Sequence, residues 1–287
     1  MSSPVIADKL SRKEFFIAPG VQDMIAALIV DKVGFDVVYA SGYWLTASAL
    51  GLPDAGLATY SQMLERMTTL TATSKAAVIG DADTGYGGLL NVRHTVRGYE
   101  AAGVTAIQIE DQVFPKRCGH SPGTRTIPTA DMVRKIEVAK DAILDKASTL
   151  IIARTDARAS EGLEGCLRRA EAYAAAGADV LFPEALRDEE EMRAVCAAAS
   201  IPVMANMANG GKTPILSAAT LAEIGFAFAI FPSLTSLTAA KAMENALARL
   251  KRDGRGDAGE TPLFDFAEFC RLVGLEETWD FERQWSM

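Results

Sequence analysis

The sequence predicts an α/β chain closed as a (β/α)8 TIM barrel, and three observations carry that expectation. First, eight short β-branched or apolar runs recur, at 14–18, 37–40, 76–80, 105–109, 149–153, 179–182, 201–205 and 228–231. Their continuous apolarity suits strands of a parallel sheet buried on both faces. Second, helix-like stretches separate the runs, and several end at a glycine shortly before the next one: Asp31-Lys-Val-Gly34, Glu100-Ala-Ala-Gly103, Ala174-Ala-Ala-Gly177 and Glu223-Ile-Gly225. Glycine accepts the left-handed backbone that ends a helix, so these are expected αβ connections. Third, 287 residues exceed a typical domain but match the roughly 250 of such a barrel. Eight βα units in series favour a closed barrel over an open doubly wound sheet.

The barrel is expected to span 1–252, with its eighth helix near 238–251. A polar, glycine-rich connector follows at 252–262, and the stretch 253–287 reads as connector plus a tail rich in Phe and Trp. Such a tail is expected to dock on the barrel or on a neighbouring subunit.

Apolar residues make up 49% and charged ones 23% of the chain, enough to build a large core. A net charge of −8 and a pI near 5.0 oppose binding to phosphate backbones or anionic lipid, which needs clustered cations. No nucleic-acid or membrane partner is therefore expected. The first residues lack a basic segment followed by an apolar run, and no stretch approaches a membrane span, so the expected location is cytoplasmic. Cys118, Cys166, Cys196 and Cys270 form no Cys-x-x-Cys pair, and are expected as thiols, neither zinc ligands nor disulfides.

In a barrel of this kind, chemistry sits at the C-terminal ends of the strands. The second run leads into Tyr39-Ala-Ser41-Gly42-Tyr43-Trp44, the third into Asp81-Ala-Asp83, the fourth into Glu110-Asp111, the fifth into Arg154-Thr-Asp156, the sixth into Glu184 and the seventh into Asn206. If the third strand persists, Asp81 and Asp83 face the same side. With Glu110, and Asp54 from the loop Gly51-Leu-Pro-Asp54, they form an all-oxygen cluster that would take up protons unless a cation sat within it. Hard oxygen ligands without paired His or Cys point to Mg2+ or Mn2+. The alternative is that these carboxylates cap the helices that follow. Arg154 could grip a substrate carboxylate bidentately or be held in an internal ion pair with Glu184 or Asp156. Asn206 could bind a substrate oxygen or cap a helix. His94 falls in a helix-like stretch and reads as a surface or packing residue.

The segment Phe114-Pro-Lys116-Arg-Cys118-Gly119-His120 stands apart. Neighbouring cations lower a thiol's pKa, so Cys118 reads as a thiol poised for acid or base work. The flanking prolines and glycines suggest a loop that acts as a lid; a solvated basic loop with an incidental cysteine is the plainer alternative.

Together, Asp81-Ala-Asp83-Thr-Gly85-Tyr-Gly87, Ile109-Glu110-Asp111-Gln112, Lys116-Arg-Cys118-Gly-His120 and Ile152-Ala-Arg154-Thr-Asp156 resemble the signatures of the isocitrate lyase/phosphoenolpyruvate mutase superfamily, in its order. The loop resembles that of the lyase branch. The resemblance implies an eighth helix exchanged between subunits of a homotetramer and a 2-hydroxy or 2-oxo acid substrate. It implies Mg2+ near Asp54, Asp81, Asp83 and Glu110, with the ligand on the metal, Arg154 and the amides around Ser41 and Gly42. It makes Cys118 the acid that protonates the second product, Lys116 and His120 residues that position the loop, and Tyr39 or a carboxylate the base.

Two segments depart from the tricarboxylate-cleaving methylisocitrate lyases. Asn206-Met-Ala-Asn209-Gly-Gly-Lys-Thr-Pro214 carries Asn209 where a Glu is usual, and Leu237 stands where an Arg is expected. A buried carboxylate without its cation is costly, so a tricarboxylate is disfavoured. The segment is similar to that of 2,3-dimethylmalate lyases and carboxyphosphonoenolpyruvate mutases. The expected reaction is Mg2+-dependent carbon–carbon cleavage of a substituted malate, with Tyr43, Trp44, Gly119, Glu184, Asn206, Asn209 and Leu237 shaping the pocket. Oxaloacetate hydrolysis, phosphonate chemistry, methylisocitrate cleavage and a non-catalytic metabolite-binding barrel are the competing readings.

Overall fold

The computed structural model describes residues 4–286 apart from 120, 122 and 258. All eight apolar runs become parallel strands: β1 (Phe16–Val21), β2 (Val37–Ala40), β3 (Ala77–Asp81), β4 (Ala106–Glu110), β5 (Leu150–Thr155), β6 (Val180–Pro183), β7 (Met204–Asn206) and β8 (Phe228–Phe231). Sequential strands are neighbours from β1 to β6, while β1 also pairs with β8, and β8 with β7. Between β6 and β7 the seam is held by one bridge, Leu181 to Val203, and by the Leu181 amide donating to the Pro202 carbonyl at 2.9 Å. The barrel is thus nearly closed. β7 is shorter than the run at 201–205 suggests, because Pro202 has no amide hydrogen to enter the ladder. β1 starts and ends later than its run.

The continuous apolarity of the runs follows from burial on two faces. Val38, Val78, Ile107, Ile109, Ile151 and Ala153 point outward into one cluster with the surrounding helices. Their sequence neighbours Val37, Tyr39, Ile79, Ala106 and Ile152 point inward, as does Phe182. There they meet Phe16 and Phe228, whose rings stack 4.6 Å apart. The short helix Val5–Ser11 places Ile6 in the same inward cluster, beside the first residues of several strands. Toward the strands' C-terminal ends the interior turns polar: Asp81 pairs in register with Gln108, Glu110 with Arg154, and Asn206 with Ile230. The helix Met24–Val33 ends at Gly34 (φ 94°) and Ala218–Ile224 at Gly225 (φ 113°), both left-handed as their positions predict.

The helix after β8 behaves differently from the others. Leu234–Asp253 runs for 20 residues and buries only Ser236, whereas Leu89–Ala101 buries Val92, Thr95, Val96 and Tyr99. Met243, Leu247 and Leu250 on it are exposed, as are Phe266, Phe281 and Trp285 in the tail helices Phe266–Leu272 and Leu275–Trp285. The tail touches the helix Met24–Val33 through Lys32, which pairs with Glu268 at 3.2 Å and lies 4.7 Å over the Phe264 ring. None of the helices among the described residues is long and apolar enough to cross a membrane.

Because Phe228 is wholly buried and stacked on Phe16, Phe228→Ala is expected to destabilise the fold by about 3–5 kcal/mol, read from the midpoint shift in guanidinium unfolding followed by circular dichroism.

Candidate active site

A cavity of about 300 Å³ opens at the C-terminal end of the barrel. Of the residues singled out in the sequence, Tyr39, Ser41, Tyr43, Trp44, Asp54, Asp81, Lys116, Cys118, Gly119, Arg154, Glu184, Asn206, Asn209 and Leu237 line it. Gly42, Asp83 and Glu110 stand just behind this lining, and His120 lies outside the described residues. His94 sits on an exposed helix face with its ring 4.7 Å from that of Tyr60.

One end of the cavity is acidic. Strand β3 stops at Asp81, and Asp83 lies beyond it in left-handed backbone (φ 47°). The two carboxylates are therefore brought together by a turn and not by strand alternation. The Asp83 amide donates to Asp81 Oδ1 at 3.1 Å, and the Asp83 carbonyl accepts from the Glu110 amide at 2.9 Å. Lys135 Nζ donates to the Thr84 carbonyl at 2.7 Å, pinning the same turn from outside. Asp81 further accepts from Gln108 Nε2 at 3.1 Å and from the Gly42 amide at 3.0 Å. The Gly42 amide thus serves Asp81, where the family resemblance assigns it to the ligand. A side chain at Gly42 would bring its Cβ within 2.9 Å of Asp81 Oδ2.

The ammonium of Lys116, 4% exposed, pairs with Asp54 and stands 2.8 Å from Asp83 Oδ1. Burial by itself would lower its pKa, but Asp83, Glu110, Asp54 and Asp81 outweigh burial and hold it well above the usual range. Burial pushes Asp83 up to about 6 against the pull of Lys116. Glu110 is raised well above the carboxylate range by burial, opposed by Arg154, and its Oε1 is buried without a hydrogen-bond partner. Among the described residues, no group of three such side chains is gathered tightly enough to hold a metal ion as it stands.

The other end is built around Arg154. Its Nε and Nη2 bond both oxygens of Asp156, at 3.0 and 2.9 Å, while Glu110 and Glu184 each lie 3.4 Å away. Its guanidinium also stands 5.0 Å over the Phe182 ring. The internal ion pair anticipated as an alternative is therefore present, on a side chain that also faces the cavity. Asn206 Nδ2 donates to Glu184 Oε2 at 3.0 Å, leaving Asn206 Oδ1 buried without a partner. Tyr39 donates its phenol hydrogen to Gln108 at 2.9 Å, and burial, reinforced by Asp81, raises its pKa well above the ordinary value. In this arrangement the Tyr39 hydroxyl is held as a hydrogen-bond donor to Gln108.

The segment carrying Cys118 is down on the site. A Cβ at Gly119 would lie 2.3 Å from Arg154 Nη2 and 2.6 Å from Asp156 Oδ1, so only glycine permits this approach. Cys118 and Lys116 thereby share one cavity with Arg154 and the carboxylates. All four cysteines are thiols, and burial pushes Cys166 up to about 12.

Sequence reasoning missed two supports. Gln108 joins Tyr39 to Asp81; its position two residues before Glu110 on the same strand face was the available signal. Asp111, fully buried, accepts from Thr155 Oγ1 (2.7 Å), Tyr173 (2.7 Å), the Asp156 amide (3.0 Å) and Arg169 (3.3 Å). It fixes Asp156 and through it Arg154, drawing on residues up to 62 positions away that no local pattern connects.

The family model for phosphoenolpyruvate phosphomutase matches residues 7–251. The chain is 40% identical over 277 residues to the 2,3-dimethylmalate lyase of Eubacterium barkeri, with 96% of each chain covered. Among solved structures, oxaloacetate acetylhydrolase in complex with 3,3-difluorooxalacetate matches with a TM-score of 0.92 at 30% identity, over 99% of this chain and 98% of that one. A phosphonopyruvate hydrolase complex with oxalate and Mg2+ matches with a TM-score of 0.89 at 28% identity, over 100% of both chains. The order of the strand-end motifs, the nearly closed barrel that carries them and a family match across most of its length make this chain a member of the phosphoenolpyruvate mutase/isocitrate lyase superfamily.

Proposed function

We propose that the protein is a cytoplasmic, Mg2+-dependent carbon–carbon lyase that cleaves a substituted malate, of the 2,3-dimethylmalate kind, into a 2-oxo acid such as pyruvate and a carboxylic acid. The observation that carries this reading is the convergence of Cys118, Arg154 and the acidic cluster on one cavity. The 40% identity to a 2,3-dimethylmalate lyase over nearly the whole chain supports the substrate class.

The donor set suits a hard divalent cation. Six carboxyl groups, Asp54, Asp81, Asp83, Glu110, Asp156 and Glu184, gather around Lys116 and Arg154, and Glu110 keeps an oxygen without a partner. Asp54, Asp81, Asp83 and Glu110 would hold Mg2+, or Mn2+, which when bound offsets negative charge on the substrate's C1 carboxylate and C2 oxygen.

The protein's own groups then perform the reaction. Arg154 binds the 2-oxo acid half, held in place by Asp156. A carboxylate removes the C2 hydroxyl proton, the electron pair of that O–H bond becomes the second bond of the C2 carbonyl, and the C2–C3 bond breaks. The released pair is left on C3 as the enolate of the adjoining carboxylate. Cys118 gives its S–H proton to C3, and the thiolate is reprotonated from water before the next turnover. Gly119 and the loop exclude water from the carbanion.

Leu237 and Asn209 on the cavity wall, where methylisocitrate lyases place Arg and Glu, offer a third carboxylate no cation, which favours a smaller, more apolar acid. Tyr43 and Trp44, with rings 4.7 Å apart, add an aromatic face. Oxaloacetate hydrolysis is the second reading, favoured by the structural match to oxaloacetate acetylhydrolase.

The exposed leucines of Leu234–Asp253 and the aromatic tail support a division into a barrel, 1–252, and a tail, 253–287, with the eighth helix laid on a partner subunit's barrel within a homotetramer.

With Mg2+ present, 2,3-dimethylmalate is expected to yield pyruvate, and Cys118→Ser to lower that rate at least about 100-fold; oxalate from oxaloacetate as the main product, or turnover of phosphonopyruvate alone, would overturn the assignment. Replacing Met243 and Leu247 together by Glu should convert the tetramer to smaller species in sedimentation velocity; an unchanged coefficient would refute the exchanged helix. Asp83, raised from 3.8 to about 6, binds more protons folded than unfolded, so in EDTA stability should fall as pH rises from about 4 to 6. Asp83→Asn should flatten that slope in urea unfolding, and an unaltered slope would rule the cause out.

A further inference from the structure

We propose that Gln112 is a positioning residue whose side-chain amide clamps the main chain of Arg117 and so sets where Cys118 stands over the cavity. This rests on the reading that Cys118 delivers a proton, but its geometric content is independent of the substrate.

Gln112 lies two residues beyond β4 and is 1% exposed. Its Oε1 accepts from the Arg117 amide at 3.0 Å, and its Nε2 donates to the Arg117 carbonyl at 2.9 Å. The side chain thus presents the donor and acceptor of a peptide group and pairs with Arg117 as a neighbouring strand would. Its own main chain is anchored too: Gln112 bridges antiparallel to Thr126, and the Val113 amide donates to the Arg125 carbonyl at 2.8 Å. The clamp therefore ties the loop to the rigid end of β4, which also carries Glu110.

Neighbouring contacts show what the clamp controls. On one side of Arg117, Lys116 is drawn into Asp54 and Asp83. On the other, Gly119 rests against Arg154 and Asp156. Cys118 lies between, one peptide from the clamped residue. Gln112 is not part of the cavity lining, so its effect on chemistry must pass through the loop. Without the amide, the Arg117 main chain would have to be satisfied by water, which favours a lifted loop. Asparagine, one methylene shorter, and glutamate, lacking the donor, cannot reproduce both bonds.

The test is the rate at which iodoacetamide labels Cys118, read by peptide mass spectrometry so that the other thiols do not contribute. Gln112→Met keeps the side chain's length and removes both polar groups. Labelling of Cys118 should rise roughly tenfold, the scale of losing two ordinary hydrogen bonds, while Cys166 stays unlabelled as a check on folding. The kcat on 2,3-dimethylmalate should fall by a similar factor with KM little changed, since substrate contacts are intact. Gln112→Glu, which retains the acceptor for the Arg117 amide, should also label faster than the parent. In the unmodified protein, the Arg117 amide should exchange at least about tenfold more slowly than its intrinsic rate, which tests the clamp even if a variant fails to fold. Labelling no faster than the parent in a folded variant, or an unprotected Arg117 amide, would overturn the proposal. Faster labelling alongside a parent that turns over no malate would leave the clamp standing and remove the catalytic reading instead.

Discussion

The organisation of this protein depends on an excess of carboxyl groups buried at one end of a barrel. Ionised groups taken out of water are tolerated only when paired or hydrogen-bonded, and each strand end answers that demand. Lys116 enters from the loop to meet Asp54 and Asp83, Arg154 rises from β5 to meet Asp156, Glu110 and Glu184, and Gln108 and Gly42 supply hydrogen bonds to Asp81. Even so, Asp83 and Glu110 are shifted upward by burial. The unpartnered Glu110 Oε1 shows that this balance is incomplete among the described residues.

The same electrostatic demand links the loop to the site. Lys116 and Cys118 are two residues apart, so pairing of the ammonium with the acidic cluster brings the thiol over the cavity. Gly119 makes the approach sterically possible, and Gln112 holds the chain from behind. The buried ammonium, the thiol and the position of the loop are therefore carried by one stretch of chain.

At the opposite extreme of polarity, Leu234–Asp253 and the tail gather many exposed apolar side chains, among them Met243, Leu247, Phe266, Phe281 and Trp285. Hydrophobic surface of this kind is stable when covered, so the periphery of the chain poses a burial demand as the interior poses an electrostatic one.

By itself the sequence determined the barrel and the rim residues. Double burial makes parallel strands continuously apolar, so all eight were legible as runs, and glycines such as Gly34 and Gly225 marked the helix ends by a purely local backbone requirement. The strand-end motifs placed Asp81, Glu110, Arg154 and Glu184 on one rim because the fold sends every strand the same way. Tertiary structure alone decided what those residues touch. The turn that puts Asp83 in left-handed backbone, the Gln108 link between Tyr39 and Asp81, the Asp111 network behind Arg154 and the descent of Gly119 onto that arginine all join residues from different strands and loops. Spacing along a chain reports periodicity and local propensity. Which buried groups neutralise one another depends on distances that exist only after the barrel has closed.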